Sequence, residues 1–169
     1  MDKTLADAIV MLKAEFVKRH KGGSHIHEVI PISSELLSID EHGLKMLHKF
    51  AESNSIYSNF YEMDILGTVC SVYEGDVNNY WLDSIKHDTS YAPFYPIWIL
   101  SAYGLVLESK NLGAKQVVDI GSGDGRIAYC AKMIGLQSYG IEIDENLVSL
   151  ENKISSSTGI DFQPMTADA

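Results

Sequence analysis

The segment Val117-Val118-Asp119-Ile120-Gly121-Ser122-Gly123-Asp124-Gly125-Arg126 carries the residue types and spacing best suited to chemistry. A β-branched apolar run leads to Asp119, then to three glycines at alternate positions, then to a helix-compatible stretch, which reads as strand, tight turn and helix start. Glycine has no Cβ and tolerates positive φ, so such a turn lets backbone approach a ligand closely. A second apolar run ends in Gly140-Ile141-Glu142-Ile143-Asp144. A carboxylate at the tip of a second strand is placed to accept hydrogen bonds from both hydroxyls of a ribose. Turn and acid together describe a nucleoside site.

The spacing narrows the choice of nucleoside. A dinucleotide fingerprint reads G-x-G-x-x-G, whereas this turn reads Gly121-x-Gly123-x-Gly125 with Asp119 two residues ahead. A diphosphate wants bare backbone N–H groups and no adjacent carboxylate, because like charges repel. Asp119 and Asp124 instead suit a ligand with a cationic ammonium. These residues resemble the class I S-adenosylmethionine-dependent methyltransferases. The first motif of that family, D/E-x-G-x-G-x-G, is matched by Asp119, Gly121, Gly123 and Gly125, and its strand-two ribose acid by Glu142. The resemblance covers residues 112–169.

The resemblance implies S-adenosylmethionine as cofactor and S-adenosylhomocysteine as product. It places Asp119 near the methionyl amino group, Ser122 within the turn and Ile143 against adenine. Asp168, in Met165-Thr166-Ala167-Asp168-Ala169, matches the acid that accepts a hydrogen bond from the adenine amino group. A second similarity joins Tyr91-Ala92-Pro93 to Gly123-Asp124-Gly125-Arg126. Both look like parts of a group of archaeal and mitochondrial protein-lysine methyltransferases whose Tyr-x-Pro segment folds over the cofactor. This implies Tyr91 as a cofactor contact and a protein lysine as methyl acceptor. The following Phe94-Tyr95-Pro96 departs from that pattern. Plain structural roles stand beside these: helix caps for Asp124 and Asp144, core for Ile143, a loop acid for Asp168, and packed aromatics for residues 89–96.

These groups need elements to position them. Thr4 and Asp7 read as a capping box, and Leu5, Ile9, Leu12 and Phe16 recur at helical spacing. Ser24–Ile32 reads as a short strand. Asp40 caps a helix over 41–52, residues 56–73 fit helix or strand, and 77–86 read as a short helix. Pro96 suits the first turn of an apolar helix reaching Lys110. Then come strand 116–120, helix 125–134, strand 138–143, helix 145–156 and strand 161–165. Strands alternating with helices imply parallel β-α-β units. The expected fold class is α/β. Residues 89–169 form the N-terminal half of a Rossmann-like methyltransferase domain, strands one to three, and a mainly helical accessory region precedes it over 1–88.

The family's sheet has seven strands with strand one central, and this chain ends just after the third. We therefore expect a fragment of a longer protein, with strands in the order three, two, one. An open strand-one edge would favour self-association unless N-terminal strands cover it. The alternatives to an active methyltransferase are a cofactor-binding module or subunit without catalysis of its own, and a nicotinamide- or flavin-dependent oxidoreductase. The sequence names no residue for handling the acceptor, and no nucleophile–base pair is apparent.

The chain has 169 residues, 46% hydrophobic and 21% charged, the mix of an ordinary globular protein. No apolar run reaches the length of a membrane span, and the start lacks the order of a signal peptide. Two distant cysteines, Cys70 and Cys130, imply a reducing compartment, and we expect a cytoplasmic protein. A net charge of −10 argues against a large nucleic-acid footprint. No metal site is expected. His25 and His27 would share a strand face, but neither cysteine nor carboxylate stands at ligand spacing in the sequence.

Overall fold

Thr4 and Asp7 close the capping box that starts α1 (Leu5–Arg19): Asp7 N–H donates to Thr4 Oγ1 at 3.2 Å, and Thr4 N–H donates back to Asp7 Oδ2 at 3.1 Å. Ile9, Leu12 and Phe16 form its buried stripe, as their spacing predicts. The computed structural model describes residues 4–20, 23, 25–76 and 94–168. The expected helix over 77–86, the turn after it and Tyr91 lie outside the described residues.

Among the described residues the N-terminal region carries three strands beside its two helices, where the sequence reading expected mainly helix. Strand β1 (His25–Pro31) is followed by α2 (Glu41–Ser53), capped by Asp40, which accepts from Gly43 N–H at 2.6 Å. Strands β2 (Asn59–Ile65) and β3 (Thr68–Asp76) then form a hairpin, and the antiparallel order is β1-β3-β2. The hairpin turns on Leu66 and Gly67, with φ of 58° and 78°. Two positive φ values suit the right-handed twist of a hairpin, but Asn, Asp or Gly normally supplies the first of them. A leucine there hides the turn from a sequence reading.

Helix α3 (Ile99–Asn111) begins after Trp98, later than Pro96 suggests, and lacks a local side-chain cap. Glu28 of β1 supplies one from a distance: its Oε1 accepts from Ile99 N–H at 2.8 Å. A buried helix start needs such an acceptor for its free N–H groups, and a carboxylate also suits the positive end of the helix dipole.

From there strand and helix alternate: β4 (Gln116–Ile120), α4 (Arg126–Met133), β5 (Gln137–Glu142), α5 (Glu145–Thr158) and β6 (Pro164–Thr166). The last strand is shorter and starts later than expected. The three strands are parallel in the order β4-β5-β6, the expected three-two-one arrangement. Register pairs Asp119 with Gly140 and Glu142 with Thr166. Among the described residues β4 is hydrogen-bonded along one edge only, and its Val118 and Ile120 are 46% and 66% exposed. Among the described residues the fold is thus mixed α/β, with one antiparallel and one parallel three-stranded sheet. Tyr129, fully buried on α4, ties the halves together by donating to the Met46 carbonyl of α2 at 2.8 Å. No helix among the described residues is long and apolar enough to cross a membrane.

Candidate functional site

The three glycines after β4 all take positive φ: 74° at Gly121, 63° at Gly123 and 77° at Gly125. A residue with a Cβ would be strained at each. Two are also crowded. A Cβ on Gly123 would fall 2.5 Å from the Phe94 ring, and one on Gly125 would fall 2.4 Å from the Phe162 ring and 2.8 Å from Glu151 Oε1. The turn is therefore wedged between two aromatic rings, Phe94 on Gly123 and Phe162 on Gly125.

Glu142, at the end of β5, faces this turn. Its Oε2 accepts from Gly123 N–H at 2.8 Å, and its Oε1 accepts from Ile143 N–H at 2.8 Å and Asp144 N–H at 3.0 Å. A carboxylate offers about four acceptor positions, so about one remains, on Oε2. That position can take one ribose hydroxyl with the turn as it stands. A second hydroxyl would have to displace Gly123 N–H. Glu142 is thus more than a strand-tip surface acid. It is buried and organises the turn, so its loss is expected to cost stability as well as binding.

Asp119 sits at the end of β4, half-buried. Burial pushes its pKa up, and the neighbouring carboxylates of Asp124 and Glu142 push the same way. Ser122 is buried with its Oγ unpartnered among the described residues. Asp144 caps α5, accepting from Asn146 N–H at 2.8 Å, as its plain reading has it. Ile143 is half-buried beside Glu142. Asp168 is exposed, two residues past the register partner of Glu142 and so at the same end of the sheet.

Asp124 is neither a helix cap nor open to a ligand. It is fully buried and paired with Arg126, whose Nε donates to Asp124 Oδ1 at 2.8 Å and whose Nη2 donates to Asp124 Oδ2. Asn54, at the end of α2, donates to Asp124 Oδ2 at 2.8 Å. The remaining Arg126 donors reach Glu28 Oε2 at 3.0 Å, the Ile97 carbonyl, and Tyr57 Oη at 3.2 Å. All five guanidinium donors are used. Burial lifts the Glu28 pKa to about 7, with the Arg126 charge as the main opposing influence. This cluster locks the glycine turn to the N-terminal region. The sequence reading missed it because Glu28, Asn54 and Tyr57 lie far from the turn in the chain. The only local sign is Asp124 and Arg126 flanking Gly125, two buried charges that need partners.

A separate open cleft of about 620 Å³ lies between α2 and the antiparallel sheet, lined by Lys45, His48, Glu52 and Tyr73 among others. It shares no residue with the glycine turn.

The sequence matches no known family profile, and no curated protein resembles it closely enough to count as a relative. Among solved structures, 60% of the chain superimposes on TehB from Haemophilus influenzae, at 18% identity and a TM-score of 0.35. That overlap takes in 32% of TehB, so the chain spans about a third of that protein's length. A superposition this loose carries no argument about function.

Proposed function

We propose that the glycine turn binds S-adenosylmethionine and that the protein is a methyltransferase. The observation that carries this reading is the charge around the turn. Three positive-φ glycines lie between Asp119 and Glu142, and Arg126, the cation nearest in sequence, is consumed by buried partners. Gly121, with no atom within 4 Å of where a Cβ would stand, leaves room for a ligand to approach the backbone closely. The carboxylates welcome a sulfonium and an ammonium and oppose a diphosphate. Glu142 would hold the ribose, Asp119 would face the cationic methionyl portion, and Ile143 would flank the adenine. Phe94 closes the turn on the Gly123 side and would form one wall of the site. When bound, the cofactor supplies an electrophilic methyl group. The protein's share is to hold and orient it, and to exclude water from the point of attack. A protein lysine is the proposed acceptor, on the strength of the sequence resemblance alone.

Titration calorimetry tests the cofactor. S-adenosylmethionine and S-adenosylhomocysteine should bind more tightly than NAD or FAD, and a dinucleotide binding more strongly would overturn the reading. Glu142→Ala should weaken cofactor binding by about 1.5–3 kcal/mol, the worth of a charge-assisted hydrogen bond. It should also lower stability by about 1–3 kcal/mol, because three backbone N–H groups lose their acceptor. An unchanged dissociation constant in the folded variant would remove Glu142 from the site. A cofactor-binding module without catalysis would pass the binding test and transfer no methyl group to protein acceptors.

A further inference from the structure

His25 and His27 alternate on β1, so both side chains stand on one face of the strand. Directly across the sheet, the antiparallel register sets Glu74 of β3 opposite His27. This is the carboxylate partner that the linear sequence does not show. Glu74 Oε2 lies 2.9 Å from His27 Nε2 and 3.3 Å from His25 Nδ1. One ligand atom from each of the three residues falls within 4.8 Å of the others. Two atoms that each bind a metal at about 2.1 Å stand about 3.0–3.5 Å apart in tetrahedral or octahedral geometry. Both nitrogen–carboxylate distances are therefore at, or within a tenth of an ångström of, coordination spacing before any ion enters.

The surroundings suit a built site. Asn59 Nδ2 donates to the other Glu74 oxygen, Oε1, at 3.3 Å, and so orients the carboxylate from behind. The His27 ring packs edge-on against Phe16, with centroids 5.1 Å apart, and is thereby held in place. His25 is half-exposed, which leaves an entry path and open positions for water.

We propose that His25, His27 and Glu74 bind one divalent transition-metal ion of the zinc class, which clamps β1 to β3. Two imidazoles and one carboxylate favour a borderline ion such as Zn²⁺ or Co²⁺ over the all-oxygen preference of Mg²⁺ or Ca²⁺. The ion sits on the N-terminal sheet, apart from the glycine turn, and the proposal stands independently of the methyltransferase reading.

Titration of the purified chain with Co²⁺, followed by its visible absorption, and then displacement by Zn²⁺, tests this directly. The expected result is one equivalent bound, with a metal-dependent rise in thermal midpoint because the ion binds the folded state alone. His25→Ala and Glu74→Gln should each raise the dissociation constant at least tenfold, since even residues supporting a ligand cost that much. His42→Ala, at an exposed histidine on α2, should change nothing. His25 is half-exposed, so its variant keeps the test readable if Glu74→Gln folds poorly. Absence of a one-to-one site in the wild type would overturn the proposal. So would binding that survives in folded His25→Ala.

Discussion

Replacing Arg126 with methionine is expected to destabilise the fold by about 3–5 kcal/mol, the range for removing one partner of a buried ion pair. Methionine keeps much of the side-chain volume, so the loss is electrostatic rather than a cavity. Asp124 and Glu28 are both fully buried. Without the guanidinium, Asp124 keeps Asn54 and Glu28 keeps Ile99 N–H and Tyr57 as partners among the described residues. Lysine should rescue little. Its three donors on a point charge cannot reproduce five contacts that include a bidentate grip on Asp124. Urea unfolding should show a lower midpoint at unchanged slope. The deficit should also shrink in acid. Burial already raises Glu28 above its usual value of 4.5, and the variant raises it further. A group whose folded pKa is raised contributes stability below its unfolded pKa and loses it as pH climbs through the folded one. Replacing Glu28 with Gln and Asp124 with Asn alongside Arg126→Met should recover part of the loss. A single-variant change below about 1 kcal/mol would show that the cluster is not what holds the two halves together.

The experiment also asks why so much charge is buried beside a turn of glycines. Gly123 and Gly125 have no side chains with which to hold their own shape. The conformation is imposed from outside, by Glu142 on one side and by the Asp124–Arg126 cluster on the other. Arg126→Met should therefore also weaken cofactor binding, although Arg126 is buried away from the ligand face.

What the sequence made legible follows the same divide between local and distant causes. The strand, turn and helix around Gly121–Gly125 could be read because each signal is local: β-branched residues, then glycines at alternate positions, then a helix-forming run. The caps at Thr4, Asp40 and Asp144 were legible for the same reason. The β2–β3 hairpin was not, since Leu66 occupies a position that usually advertises itself with Asn or Gly. The start of α3 was misplaced because its cap, Glu28, arrives from another strand. Asp124 looked like a cap because its true partner, Arg126, in turn needs Glu28, ninety-eight residues earlier in the chain. The carboxylate beside His25 and His27 was likewise invisible until the antiparallel register of β1 and β3 brought Glu74 across.

The second large effect lies beneath the turn, at Glu151 of α5. This carboxyl is fully buried, and its Oε1 would lie 2.8 Å from a Cβ on Gly125 and 3.0 Å from one on Gly140. Neither oxygen has a hydrogen-bond partner in good geometry among the described residues. Burial pushes its pKa up to about 8, nearby Ser122 pulls the other way, and the carboxylates of Asp124, Glu142 and Asp119 add to the rise. The protonated acid is therefore the form that the fold prefers at neutral pH. The sign follows from linkage: between the ordinary value of 4.5 and about 8 the folded chain holds a proton that the unfolded chain has released. Stability is fully present below about pH 4.5 and drains away as pH rises to 8, by something on the order of 4 kcal/mol from this group. Glu151→Gln has nearly the same shape and no proton to lose. At pH 5 it should be slightly less stable than wild type, because its amide N–H groups lack acceptors. At pH 8 it should be more stable, so the two stability curves should cross. Urea midpoints measured from pH 5 to pH 8.5 on both proteins would show this, and parallel curves would mean that Glu151 does not titrate in that range. The crossing has a functional side under the proposed reading. As Glu151 ionises it adds a negative charge beneath the turn, so wild-type preference for cationic S-adenosylmethionine over neutral S-adenosylhomocysteine should grow with pH. In Glu151→Gln that preference should stay flat.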